Sequence, residues 1–152
     1  MIIEKDLYDQ ILRVMPIPCV DLLITDNSGR VLLVKRKNEP MKDQWWFPGG
    51  RVLFKETRYL AACRKLHEEC GLQAISVKEM GTFDLILPIP DEDEISHGIT
   101  TLFLINVGDN TAFTVDDQSY FAEWRKPEAW ITEDLHEFVR SNITSVDKTN
   151  PL

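Results

Sequence analysis

The 152-residue chain carries 25 acidic against 17 basic side chains, a net charge of -8, and 43% hydrophobic residues, the size and apolar content of one ordinary globular domain spanning residues 1–152. The charge excludes a sequence-independent grip on a nucleic-acid backbone, which depends on Lys and Arg neutralising phosphates. A small phosphorylated ligand stays open, because a bound divalent cation reverses the local sign of an acidic site.

In chain order, apolar residues recur at helical spacing at Ile3, Leu7, Ile11 and Val14 or Met15, predicting an N-terminal helix over about 3–15. Glu4, Lys5 and Asp6 interrupt the apolar run that a signal peptide needs, and no segment is long enough to span a bilayer. The expectation is a soluble, cytoplasmic protein with no membrane partner. Pro16 and Pro18 end the helix, and "CVDLLITD", "NSGR" and "VLLVKR" read as a β-hairpin. "KNEPMKDQ" is a polar loop, and "WWFPGGRV" leads through a Pro-Gly-Gly turn to a helix over Thr57–Cys70 that Gly71 closes. "LQAISVKEMGTFDLIL" supplies one or two strands. "PIPDEDEISHG" reads as an acidic, proline-containing loop unsuited to a central strand. "ITTLFLINV" and "SYFAEWRK" are strands, and "PEAW" with "TEDLHEFVRSNI" is a proline-started C-terminal helix over about 132–142. Strands in hairpins and beside helices make this an α+β or mixed α/β fold, with helices packed on a mixed sheet. Cys19, Cys63 and Cys70 have no C-x-x-C spacing and read as free thiols, and the Asn142-Ile143-Thr144 sequon reads as coincidental without a secretory signal.

On a helical wheel, Leu60, Cys63, Leu66, His67 and Cys70 share one side of the central helix. Arg64, Lys65, Glu68 and Glu69 share the other. Arg64 to Glu68 and Lys65 to Glu69 are i,i+4 pairs, ordinary on a solvated face. The segment just upstream, "FPGGRVLFKE", opens a second reading. If residues 49–56 curl back over the helix, as the glycines permit, Glu56 reaches Arg64 and the Gly49 carbonyl points at Glu69. Two carboxylates and a carbonyl are hard oxygen donors suited to Mg²⁺ or Mn²⁺. Such an ion bridges phosphate oxygens and stabilises charge in displacement at a diphosphate.

Residues 50–72, "GRVLFKETRYLAACRKLHEECGL", resemble the Nudix box, G-x5-E-x7-R-E-U-x-E-E-x-G-U, with Gly50, Glu56, Arg64, Leu66, Glu68, Glu69, Gly71 and Leu72 in register. The resemblance to the Nudix (MutT-like) hydrolases implies an α/β/α sandwich around a mixed sheet. It also implies Mg²⁺-dependent hydrolysis of a nucleoside diphosphate linked to another group, such as a nucleotide sugar or a nucleoside triphosphate. By that resemblance Glu69 is a direct metal ligand, Glu68 a second acid of the metal site, and Gly49 a carbonyl donor. Glu56 and Arg64 form an orienting salt bridge. Many relatives are dimers, which makes a homodimer the assembly to test.

One position departs from the box: Lys65 stands where the family has Glu, which implies a one-metal site or an inactive one. GDP-mannose mannosyl hydrolases, a branch that attacks the sugar carbon, also lack that Glu, and "PIPCVDLLI", "KRKNEP" and "WWFPGGRV" look similar to their N-terminal half. That branch carries a metal-binding acid and a histidine base before its last strand. The comparable "TVDDQSYFAEW" offers Asp116 or Asp117 as the acid and no histidine. The candidate bases are therefore His97, whose ordinary pKa of about 6.5 suits the task, and Asp117. Arg36, Lys37, Trp46 and Arg51 are the candidate substrate contacts, although Trp45 and Trp46 equally suit the core, and Arg36 with Lys37 equally a surface pair. His67 is expected to pack in the core. A nucleotide-binding Nudix module without catalysis is the reading of a different class.

Overall fold

The computed structural model describes residues 2–90, 94–114 and 119–149. In chain order it forms α1 (Lys5–Val14), β1 (Ile17–Thr25), β2 (Val31–Arg36), β3 (Trp45–Trp46), β4 (Gly49–Arg51) and α2 (Arg58–Cys70). These are followed by β5 (Ser76–Ile89), β6 (Glu94–Asn106), β7 (Ser119–Arg125), α3 (Pro127–Trp130) and α4 (Glu137–Thr149). The turn between β1 and β2 is organised by Asp26, whose carboxylate accepts hydrogen bonds from the Ser28 and Arg30 amides. Gly29, at φ 80°, supplies the left-handed residue.

The described strands form one sheet in the order β3-β2-β1-β6-β5, with β4 added to β1 and β7 to β2. β1 runs parallel to β6 and the other pairings are antiparallel, so the sheet is mixed. Alternation along β1 sends Val20, Leu22 and Ile24 to a core shared with Ala62, Leu66 and Cys70 of α2. Leu23 joins the opposite core, built on Trp130, Phe138, Val139 and Ile143 of α3 and α4. Helices thus cover both faces, the α/β/α arrangement expected from the resemblance.

Three expectations are corrected. The segment read as an acidic loop is largely strand: β5 continues through Pro88 to Ile89, and β6 begins at Glu94 and contains His97. Pro88 is tolerated because β5 is an edge strand with its ladder on one side. The single C-terminal helix over 132–142 is two helices, a short one started by Pro127 and α4 beginning at Glu137, where the His136 ring accepts the Phe138 amide. The wheel of α2 is also turned, by about one residue step or about 100°. Ala61, Ala62, Leu66, Glu69 and Cys70 are its buried residues, while Leu60 and His67 are exposed. The two alanines let α2 approach the sheet closely, and the buried stripe follows the rows 61-65-69 and 62-66-70, so Lys65 and Glu69 face inward. Asn142 of the sequon is buried with its amide donating to the Phe138 carbonyl.

Candidate active site

The site begins at a split in the sheet. β1 pairs with β2 only at Ile24 and Thr25, and at Cys19–Asp21 its partner is instead β4, Gly49–Arg51. Where β1 and β2 part, a cleft of about 850 Å³ opens, reached by Asp21, Arg36, Trp46, Arg51, Lys65 and Glu69. Residues of α1 also line it. The Arg51 guanidinium lies 5.4 Å from the centre of the Tyr8 ring, and Arg13 pairs with Glu94 at 3.4 Å.

The loop before α2 curls back as the glycines suggest. Thr57 caps α2 by accepting the Leu60 amide at 3.2 Å, and Gly71 ends it in the left-handed region at φ 66°. Glu56 accepts from Arg64 through both oxygens, at 2.7 and 3.0 Å, and from the Leu53 amide at 2.9 Å. Arg64 also donates to the Arg51 carbonyl and to Glu68, each at 3.0 Å. One guanidinium therefore ties loop, β4 and helix together. The pair holds the Glu56 carboxyl below its ordinary value, chiefly through the Arg64 hydrogen bonds, and raises Arg64.

One residue further on, the geometry points into the cleft. Lys65 places its ammonium 2.8 Å from Glu69 Oε1 and 3.7 Å from Glu68 Oε2. Glu69 Oε2 accepts the Gly49 amide at 3.1 Å, so the group of Gly49 that meets Glu69 is its N–H and not the carbonyl expected from the sequence. A side chain at Gly49 would collide with the Val20 carbonyl and press on Asp21, so glycine is what lets this loop lie so close to β1.

Asp21 was not singled out from the sequence. It is 7% exposed, accepts the Thr100 hydroxyl at 2.6 Å, and feels the Trp46 side chain and the charge of Arg36. Burial pushes its carboxyl up to about 6 against those opposing influences. The only sequence signal was an acidic residue inside an otherwise apolar strand, "CVDLLIT", where a charge is unexpected unless it is used. Cys19, two residues away, is raised to about 12 by burial, which leaves it an inert thiol.

The structure brings Gly49, Glu69, Arg36, Trp46, Arg51 and His97 to the cleft. Lys37, which follows the last residue of β2, is exposed and does not line it. Glu68 is half-exposed at the rim and held by Arg64. Trp45 packs against Trp130 and Phe121 in the core, while Trp46, also buried, reaches the cleft wall. Asp116 and Asp117 lie outside the described residues. Among the described residues no group of three or more His, Cys, Asp or Glu side chains is spaced to hold a metal. Glu68 and Glu69 nevertheless offer hard carboxylate oxygens that already face one cation, the Lys65 ammonium, so the donor set is one that suits a cation.

A NUDIX domain model matches residues 15–146. The low-salt glycan biosynthesis protein Agl8 of Haloferax volcanii is 30% identical over 147 residues, 95% of this chain and 91% of that protein. An ADP-ribose pyrophosphatase of Methanocaldococcus jannaschii is 34% identical over 104 residues, 68% of this chain and 59% of the relative. Among solved structures, the NUDIX domain of Shewanella oneidensis NrtR complexed with ADP ribose superposes with a TM-score of 0.72, covering 96% of this chain and 98% of that one. At 17% identity, that likeness speaks for the fold alone.

Proposed function

The chain belongs to the NUDIX domain family, and from that premise we propose that it hydrolyses a nucleoside diphosphate linked to a sugar, with a divalent cation, Mg²⁺ or Mn²⁺, held at Glu69, Glu68 and the Gly49 carbonyl. The observation that carries this reading is the cleft itself. One end holds Glu69, Lys65 and Gly49, the walls add Arg36 and Arg51, and Trp46 and Tyr8 supply aromatic surface. Its volume of about 850 Å³ suits a ligand of nucleotide-sugar size. The relatives point the same way, one by its role in glycan biosynthesis and one by its action on ADP-ribose.

A divalent ion bound there supplies charge neutralisation at the diphosphate. The chain's own residues do the rest. Arg64 and Glu56 hold the loop so that Gly49 meets Glu69. Arg36 and Arg51 present donors to phosphate oxygens, and Trp46 and Tyr8 cover the base or sugar. Asp21, with its carboxyl near 6, is poised to take a proton or to orient a hydroxyl near neutral pH. His97 is the other acceptor on the cleft wall, and Asp117 and Asp116 stay candidates from the sequence alone.

The test is turnover of a panel of nucleotide sugars, ADP-ribose and nucleoside triphosphates with Mg²⁺ in ¹⁸O-labelled water, read by mass spectrometry. Label on phosphate is the expected outcome. Label on the sugar would transfer the chain to the mode of the mannosyl hydrolases. A second reading, a nucleotide-binding module without catalysis, is favoured by one observation, the ammonium of Lys65 already paired with Glu69. Calorimetric binding with no product from any substrate would select it. Assembly as a homodimer, in the cytoplasm, is part of the same proposal, and sedimentation of the free protein reads the first.

A further inference from the structure

Lys65 is the residue that the box pattern leaves unexplained, and the structure gives it a specific place. Its side chain is 15% exposed and that of Glu69 8%, although lysine is normally among the most solvated residues. An ammonium so withdrawn from water needs a charged partner, which the 2.8 Å contact with Glu69 provides. The stem fits because residue 50 is glycine: a Cβ there would stand 2.8 Å from the lysine Cε and 3.2 Å from Nζ. Loop and helix have thus shaped a slot for this side chain. The slot opens on the cleft, where Arg36 and Arg51 add positive charge.

We infer that Lys65 is a built-in cation of the substrate site, its ammonium taking the place of one divalent ion between Glu68 and Glu69 and donating to a diphosphate oxygen when the ligand enters. An ammonium has three donors, and Glu69 is the carboxylate within hydrogen-bonding distance of it, so it can keep that bond while turning another N–H to the ligand. Lys65 would then hold the carboxylates together in the free protein and compete with metal for them. In the complex it would supply fixed positive charge to the diphosphate. This rests on the reading of the cleft as a diphosphate site.

Two binding titrations test it without turnover. Mn²⁺ binding, followed by electron paramagnetic resonance, is expected to tighten at least about tenfold in Lys65→Met, because the carboxylates lose their internal cation. Inorganic pyrophosphate, titrated calorimetrically with EDTA present, is expected to bind the unmodified protein and to weaken at least about tenfold in Lys65→Met. Thermal unfolding checks that the variant is folded. Should it not fold, Gly50→Ala, whose added Cβ displaces the lysine stem, is expected to move both titrations the same way. Unchanged Mn²⁺ and pyrophosphate affinities in a folded variant would overturn the inference, as would no metal-free pyrophosphate binding by the unmodified protein. Both titrations moving as expected while the substrate panel yields no product would retain the role of Lys65 and discard hydrolysis. Product from the panel with neither titration moving would do the reverse.

Discussion

Arg64 and Lys65 are neighbours on one helix, and each meets a glutamate four residues on, at 3.0 and 2.8 Å. Arg64 points outward and sideways. It spends its donors on Glu56, Glu68 and the Arg51 carbonyl, all parts of the scaffold. Lys65 points inward along the row shared with Ala61 and Glu69, and its partner is buried beside the Gly49 amide. Identical spacing therefore carries two meanings, and what separates them is which face of the helix the sheet covers. The planar fork of Arg suits bracing, whereas the compact ammonium of Lys suits a slot against glycine.

The largest expected effect breaks the inward pair. Glu69→Gln keeps an acceptor for the Gly49 amide but removes the charge that Lys65 or a metal requires. Turnover is expected to fall at least about 100-fold, about 2.7 kcal/mol of transition-state stabilisation. The melting temperature should also fall, because the Lys65 ammonium loses its buried partner, and circular dichroism at 25 °C checks that the variant is folded where turnover is read. Unchanged kcat/KM would remove Glu69 from the ligand set.

Next is the outward pair. Arg64→Met strips Glu56 of its main partner in a site where the two side chains are 13% and 23% exposed, so about 2 kcal/mol of stability should be lost in chemical denaturation. The pH dependence gives a sign to check. The folded-state pKa of Glu56 lies below its ordinary 4.5, so its contribution is present above that value and disappears as the pH falls through the lowered one. The variant should therefore show a flatter acid limb. An unaltered limb would mean that the guanidinium does not set the acid stability of the loop.

How far the sequence foretold this is clear from the same helix. The spacing of Gly50, Glu56, Arg64, Glu68 and Glu69 announced the brace, and Thr57 and Gly71 announced both ends of α2. The rotation of that helix was not legible, because Leu60, Cys63 and His67 make a plausible apolar side, and the closeness permitted by Ala61 and Ala62 depends on the sheet beneath them. Strand β5 was read short at its C-terminal end because Pro88 suggested a break, and only the edge position of that strand explains the proline. Asp21 was missed for a similar reason: its meaning comes from Thr100, distant in sequence and adjacent in the sheet.

Asp21 offers the sharpest contrast with Glu69, since it meets a hydroxyl where Glu69 meets an ammonium. Its carboxyl is raised from 3.8 to about 6, chiefly by burial, so between those values the folded chain holds a proton that the unfolded chain has lost. Stability from this group therefore falls as the pH rises through that window and is fully lost above about 6, opposite in sign to Glu56. Asparagine stays neutral and still accepts the Thr100 hydroxyl. Asp21→Asn should accordingly match the parent near pH 3.5 and exceed it by on the order of 2 kcal/mol above pH 6.5, measured by urea unfolding across the range. A variant less stable than the parent at pH 7 would mean that the buried charge is favourably compensated in the fold. A gain would mean that the chain tolerates a destabilising carboxylate at the cleft floor, the pattern of a group kept for its ligand.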